Sequence, residues 1–196
     1  SKEISSDFEK SEYDALISTG EQIACSLLAG ALINLGLKSR SWLSWQLPII
    51  TKGSHGLSRI ENINTKEVLS FINKGGIPVI TGFQGISINK RVTTLGRGGS
   101  DASAIAIAKF FDADSCIIYT DVEGVYTTDP RINFKAKKID KISYEEILEM
   151  ASLGAKIMQP SSVQDAMLNN IKIEVKSAFS KKPGTKITDE NNVLNK

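Results

Sequence analysis

Histidine is almost missing from this chain: His55 is the only one in 196 residues. It lies in Gly53-Ser54-His55-Gly56, a loop-like run, so histidine triads and multi-histidine metal sites are excluded and His55 reads as bystander polarity. Cysteine is equally scarce. Cys25 and Cys116 stand far apart inside apolar runs, which excludes a disulfide framework and reads as two buried reduced thiols. Long apolar runs are absent too. The longest uncharged stretch, Gln22 to Leu37, includes Ser26 and Asn34 and falls short of the ~18 apolar residues a membrane span needs. The opening SKEISSDFEKSEYD is polar and charged, with no secretory signal. An excess of either charge is lacking as well: 24 basic against 22 acidic side chains leave +2, too little to argue for nucleic-acid binding.

What remains is a soluble, cytosolic, globular composition, 41% hydrophobic and 23% charged. This length suits one domain that buries roughly 70% of its unfolded surface. The chain opens at Ser1 with no obvious first strand, as a processed product or a piece of a longer polypeptide would. Thr19 to Leu35 carries Ile23, Leu27, Leu28, Ala31, Leu32 and Leu35 at helical spacing, with Gly36 suited to end the helix. Lys66 to Lys74 reads as a helix closed by Gly75 and Gly76, and Ile77 to Thr81 as a buried strand. Asp101 to Phe111 reads as a third helix and Ser115 to Thr120 as a second strand. Ser143-Tyr144-Glu145-Glu146 is a capping box opening a helix that should stop at Gly154. Ser161 to Asn169 then reads as helix and Lys172 to Phe179 as strand. This alternation predicts an α/β fold: a three-layer sandwich with a largely parallel central sheet covered on both faces. One domain over 1–188 and a polar tail over 189–196 follow, with no repeat or linker to divide them.

Ligands of such sheets bind beyond the carboxyl ends of the strands, where two segments stand out. Thr94-Leu95-Gly96-Arg97-Gly98-Gly99-Ser100-Asp101 is a glycine-rich turn entering a helix, where backbone N–H groups and the helix terminus favour an anion. It matches neither the dinucleotide fingerprint nor the P-loop. The plain alternative is a strand-to-helix turn with Asp101 as N-cap, but Arg97 adds a fork suited to carboxylate or phosphate. The second segment, Thr120 to Arg131 (TDVEGVYTTDPR), crowds acidic, hydroxyl, aromatic and basic groups together. A hairpin-like loop with turns at Glu123-Gly124 and Asp129-Pro130 explains it equally well. Glu21, in Ser18-Thr19-Gly20-Glu21, is open to a purely structural capping-box role. Lys156 follows Gly154 at a helix end, where a lysine commonly complements the helix dipole. Lys135, Lys137, Lys138 and Lys141 read as a solvated face rather than a nucleic-acid patch.

Together STGE, GFQG, TTLGRGGSD, YTDVEGVYTTDPR and KISYEEILEMASLGAKIMQPSSV closely resemble the aspartate kinases of the amino-acid kinase family, in the family's order. The resemblance implies ATP-dependent phosphorylation of the β-carboxylate of L-aspartate, opening the routes to lysine, threonine, methionine and diaminopimelate. It implies that Glu21, Arg97, Gly98, Gly99 and Ser100 contact aspartate and that Asp101 helps organise the catalytic centre. Thr120, Asp121, Tyr126, Thr127, Thr128, Asp129, Pro130 and Arg131 would line the ATP site, with Lys156, a catalytic residue, and Ile157 near the phosphates. Mg²⁺ would bridge those phosphates, with no metal site of the protein's own. By charge, Arg97 suits the α-carboxylate of aspartate and Glu21 its ammonium. No general base is required, because a carboxylate of pKa about 3.9 is already ionised at pH 7.

Two departures accompany the resemblance. No run matches the family's N-terminal K-[FY]-G-G-[ST]-S phosphate loop, so the fold is expected to be incomplete at its N-terminus, and no ACT-type regulatory region follows Phe179. The competing readings are a glutamate 5-kinase or uridylate kinase type of enzyme, and a catalytically incomplete fragment or subunit. The expected partners are L-aspartate and ATP, without nucleic acid or membrane, and a second copy or a complementing chain. The expected location is the cytoplasm.

Overall fold

The computed structural model describes residues 5, 7–153 and 158–189. The chain forms two compact units, Ser1–Phe111 and Asp112–Lys196. No proline-, glycine- or serine-rich stretch marks that junction in the sequence, which therefore read as one domain.

The first unit runs α1 (Lys10–Ile17), α2 (Thr19–Asn34), β1 (Ser39–Trp42), β2 (Ile49–Lys52), β3 (Arg59–Ile63), α3 (Lys66–Asn73), β4 (Ile77–Ile80), β5 (Gln84–Ile86), β6 (Val92–Thr94) and α4 (Gly99–Phe110). β1 and β4 form a parallel pair, and a second sheet has the order β3-β2-β5-β6. Trp42, Leu47, Ile49, Ile63 and Val68 make the core between them, with Phe71 edge-on to Trp42 at 6.1 Å. Burying side chains of this size stabilises by roughly 1.5–3 kcal/mol each, which outweighs the weak propensities of such short strands. The helix expected over Thr19–Leu35 is α2, and it ends at Leu35 with Gly36 at φ +80°.

α1 was not anticipated, and it changes one exclusion. Lys10–Asn34 spans 25 residues with a window of mean hydropathy 1.5, long and apolar enough by length and composition to cross a membrane. The uncharged-run count missed this because the helix extends beyond that run. Within the unit, however, the stretch is tied down by polar contacts that no bilayer core supplies. Asp14 and Ser18 are fully buried, and Cys25 donates its thiol to Val79 O at 3.0 Å. α2 still leaves Ile23, Leu27, Leu28, Ile33 and Leu35 exposed.

The second unit runs β7 (Cys116–Thr120), β8 (Lys141–Ser143), α5 (Tyr144–Ser152), α6 (Pro160–Leu168), β9 (Ile173–Ser177) and β10 (Thr185–Thr188). Its sheet has the order β7-β9-β10-β8. The capping box opening α5 is present in both directions: Ser143 N donates to Glu146 Oε2 at 2.8 Å, and Glu146 N to Ser143 Oγ at 3.1 Å. The fold class is α/β, and four of the seven strand pairings are parallel. Among the described residues these pairings fall in two sheets of the first unit and one sheet of the second.

Candidate functional site

In the first unit β5 and β6 pair Gln84 with Thr94, and Leu95 N donates to Phe83 O at 3.0 Å. The chain then turns through Gly96 and Gly98 into α4. Gly96 has φ +75°, and a Cβ there would lie 2.7 Å from Gly56 O, so the turn tolerates no side chain at that point. Gly98, itself left-handed, caps α4, and Asp101 lies in the first turn instead of at the N-cap that a plain turn would assign it. Among the described residues the Asp101 carboxyl has no hydrogen-bond partner, and burial raises its pKa above the ordinary aspartate value. Phe83, from GFQG, holds a left-handed backbone (φ 65°) and donates its N–H to Ser103 Oγ at 2.9 Å.

Glu21 is brought in by α2. Gln22 Nε2 donates to Gln84 Oε1 at 3.2 Å, and Gln84 Nε2 donates to Ser18 O at 3.0 Å. The capping-box alternative for Glu21 is not realised. α1 runs almost directly into α2, so Ser18 is helical and its hydroxyl donates back to Ala15 O at 2.9 Å. Neither the Glu21 carboxylate nor the exposed Arg97 guanidinium has a hydrogen bond or ion pair among the described residues. Next to Arg97 in sequence, Gly99 is buried and Ser100 exposed.

The sequence reading missed Asp14. Its fully buried carboxylate accepts from Thr94 N (3.0 Å), Thr94 Oγ1 (2.6 Å), Gly56 N (3.0 Å) and His55 Nδ1 (2.7 Å). His55 is accordingly no bystander. The available signal was thin: an aspartate about two helical turns before Glu21, where a charge facing inward needs partners from elsewhere.

In the second unit the loop after β7 forms one wall of a cleft of about 650 Å³. Thr120, Asp121, Tyr126, Thr127, Thr128, Asp129, Pro130 and Arg131 all line it, together with apolar Val122, Ile132, Met150, Leu153 and Val175. The hairpin-like alternative is also present, and the two are compatible. Thr127 N donates to Lys137 O at 3.0 Å and Ile139 N to Val125 O at 2.9 Å, so the folded-back loop is itself the wall. Thr185 pins it, accepting from Val125 N at 2.8 Å and donating to Ile139 O. Gly124, at φ +152°, would place a Cβ 2.4 Å from Thr185 Oγ1.

Apart from Asp121, whose Oδ1 accepts from Thr120 Oγ1 at 3.1 Å, the charged groups here are paired with one another. Arg131 donates through Nε and Nη2 to the two Asp129 carboxylate oxygens at 3.1 and 3.0 Å. That pairing lowers the Asp129 pKa and raises that of Arg131. Lys182 likewise holds Glu123 below the usual glutamate range. Of the lysine cluster, Lys135, Lys137 and Lys141 are exposed, whereas Lys138 donates to Pro183 O at 2.6 Å. Lys156 and Ile157 lie outside the described residues.

Comparison with known proteins adds the following. Residues 1–177 match the model of the amino acid kinase family. The chain is 44% identical to an aspartokinase of Geobacillus stearothermophilus over 189 residues, 96% of this chain and 46% of that protein. The crystal structure of E. coli aspartokinase III with aspartate and ADP superposes with a TM-score of 0.85 at 31% identity, covering 92% of this chain and 41% of that one. An aspartate kinase from Synechocystis superposes at 0.82 with 39% identity, over 96% and 31%. The chain spans a little under half the length of the curated relatives it matches.

Proposed function

Because the chain belongs to the amino acid kinase family, we propose that it contributes to an ATP-dependent phosphorylation of the β-carboxylate of L-aspartate. The observation that carries this reading is that Glu21 and Arg97, an anion and a cation on elements joined through Gln84 and Thr94, each lack a hydrogen bond or ion pair among the described residues. A zwitterionic amino acid offers the complementary charges: an α-carboxylate for the Arg97 fork and an ammonium for Glu21. The identity to aspartokinases supports aspartate over other amino acids.

The β-carboxylate is already ionised at pH 7, so the protein needs no base and contributes position and charge. Gly98, Gly99 and Ser100 would offer backbone and hydroxyl donors to aspartate, and Asp101 would organise the centre. The cleft of the second unit would take the nucleotide, its apolar wall against the base and its hydroxyls toward the phosphates. Lys156 and Ile157 would lie near the phosphates, with the Lys156 cation facing developing charge. Among the described residues no three His, Cys, Asp or Glu side chains gather closely enough to hold a metal. A Mg²⁺ ion would be carried by the phosphates themselves, where it would offset their charge. The product, aspartyl phosphate, would enter cytoplasmic biosynthesis of lysine, threonine, methionine and diaminopimelate.

Calorimetric titration of the chain with L-aspartate, L-glutamate and ADP tests the reading. Saturable binding of aspartate and ADP, with glutamate at least tenfold weaker, is expected. Binding of neither aspartate nor ADP would overturn it. A coupled ADP-release assay with aspartate and Mg-ATP then asks whether these 196 residues turn over by themselves. Low activity is expected, because no run in them matches the glycine-rich lysine loop.

A further inference from the structure

An ionised carboxylate buried out of contact with water is costly unless hydrogen bonds replace its solvent shell. Asp14 is 0% exposed, yet four donors converge on it. None of these donors comes from its own helix. Two belong to Thr94, the last residue of β6, and two to the loop containing His55 and Gly56. Those two segments flank the glycine-rich turn: Gly56 O is the atom that leaves no room for a side chain at Gly96. Thr94 is held on every polar atom, since Ser58 N also donates to its carbonyl at 3.0 Å. The residue two positions before Arg97's glycine is therefore fixed by a charge on α1. The Arg91 guanidinium adds a second tie from β5-β6 to α1, contacting Glu12 and Ser11.

We propose that Asp14 is a positioning residue: by holding Thr94 and the His55–Gly56 loop, its buried carboxylate sets the backbone from which Arg97 meets an anionic ligand. The proposal rests on the reading of the turn as the aspartate site. Asp14 touches no ligand; it acts through Thr94. Charge-assisted hydrogen bonds are short and strong, so the turn is held before ligand arrives, and the ordering cost of binding is already met.

The decisive variants are at Thr94, because Asp14→Ala leaves four donors unpaired at once and disturbs the fold of α1 itself. Thr94→Val keeps the shape and removes the hydroxyl that donates to Asp14 Oδ1. Thr94→Ser keeps the hydroxyl and opens a small cavity. Aspartate and ADP affinities are measured by calorimetry, melting temperature by circular dichroism, and exchange of the turn amides by NMR. Thr94→Val is expected to weaken aspartate about tenfold, the loss of one hydrogen bond to a charged group, with ADP affinity unchanged. Exchange at Gly96 to Gly99 should quicken. Thr94→Ser should keep aspartate affinity within about threefold while melting lower. If aspartate affinity instead follows melting temperature across both variants, the residue is merely structural and the proposal falls. If the wild-type chain binds no aspartate, the functional reading fails. The exchange data then decide the positioning by themselves: faster exchange in Thr94→Val but not in Thr94→Ser supports it, and equal exchange overturns it.

Discussion

The glycine-rich turn of the first unit and the loop after β7 in the second use charge in opposite ways. Around the turn, the charge that holds the backbone is buried, and among the described residues the half-buried Glu21 and the exposed Arg97 have no hydrogen bond or ion pair. Around the loop, a neutral hydroxyl, Thr185, holds the backbone, and the outward charges Asp129, Arg131, Glu123 and Lys182 neutralise one another. The first arrangement leaves two opposite charges without a partner among the described residues, which on the proposed reading suits a small zwitterion. The second leaves a partly apolar cleft wall on which, among the described lining residues, only the Asp121 carboxylate has no ion-pair partner, a surface that on the proposed reading suits the flat body of a nucleotide better than its phosphates.

Arg97 is where that contrast breaks first. Arg97→Lys keeps the charge and loses the fork, and aspartate binding should weaken tenfold or more while ADP binding holds. Equal losses on both ligands, read by calorimetry, would make Arg97 a phosphate contact and erase the difference between the regions.

The next largest effect is expected at Gly124, where the loop passes closest to Thr185. An alanine would sit at φ +152° and press on both Thr185 Oγ1 and Thr185 N, the latter 3.1 Å from its Cβ. Gly124→Ala should cost about 2 kcal/mol or more by denaturant unfolding. A change below about 0.5 kcal/mol would show that Thr185 does not pin the loop.

How much of this was legible follows from the range of each interaction. α2 and the α5 capping box are local patterns, and both were readable: Leu27, Ala31 and Leu35 repeat at helical spacing, and Ser143 and Glu146 are three residues apart. β5 and β6 are three residues each, too short to show alternation, and they exist because β2 pairs with β5 and the hairpin closes on it. α1 (KSEYDALI) has little apolar periodicity and was hidden by its charges. TTLGRGGSD announced a turn through its glycines. Asp14 announced little beyond its spacing from Glu21, because its partners lie 41 to 80 residues away. The Ser18–Glu21 pattern misled for a related reason: a capping box requires a non-helical serine, and α1 delivers Ser18 already in helical geometry.

Asp101 offers a smaller test, of opposite sign. Its carboxyl is desolvated, so its folded-state pKa lies above the unfolded value and folding favours the protonated form. Stability is therefore lost as pH rises from the unfolded pKa through the folded one, and the ionised group remains a burden at pH 7. The helix terminus favours the anion, but the upward shift means that desolvation outweighs it. Asp101→Asn should raise the melting temperature at pH 7, with the gain vanishing below about pH 3.8. A lower melting temperature at pH 7 would mean the carboxylate is held by contacts that stabilise it.

The smallest effect should come from the most conspicuous ion pair. Asp129 and Arg131 are two residues apart, and their bidentate bond closes within one turn of chain at a solvent-exposed wall. Such a pair holds its own loop and reaches nothing beyond it, and solvent screening leaves surface pairs with little net effect. Asp129 is depressed, so whatever stability the pair lends is present above the unfolded aspartate pKa and disappears only as pH falls through the lower folded value. Because solvent screening keeps that contribution small, the melting temperatures of wild type and Asp129→Asn should nearly coincide between pH 5 and 8, where it is fully present. The variant frees Arg131, adding an unpaired cation to a wall that had none among its outward groups. ADP should then bind no more weakly, and somewhat more tightly at low salt, where an exposed cation attracts phosphate over a longer range. A large loss of ADP affinity would reverse that reasoning: Asp129 would be touching the nucleotide itself, and the second region would use free charge just as the first does.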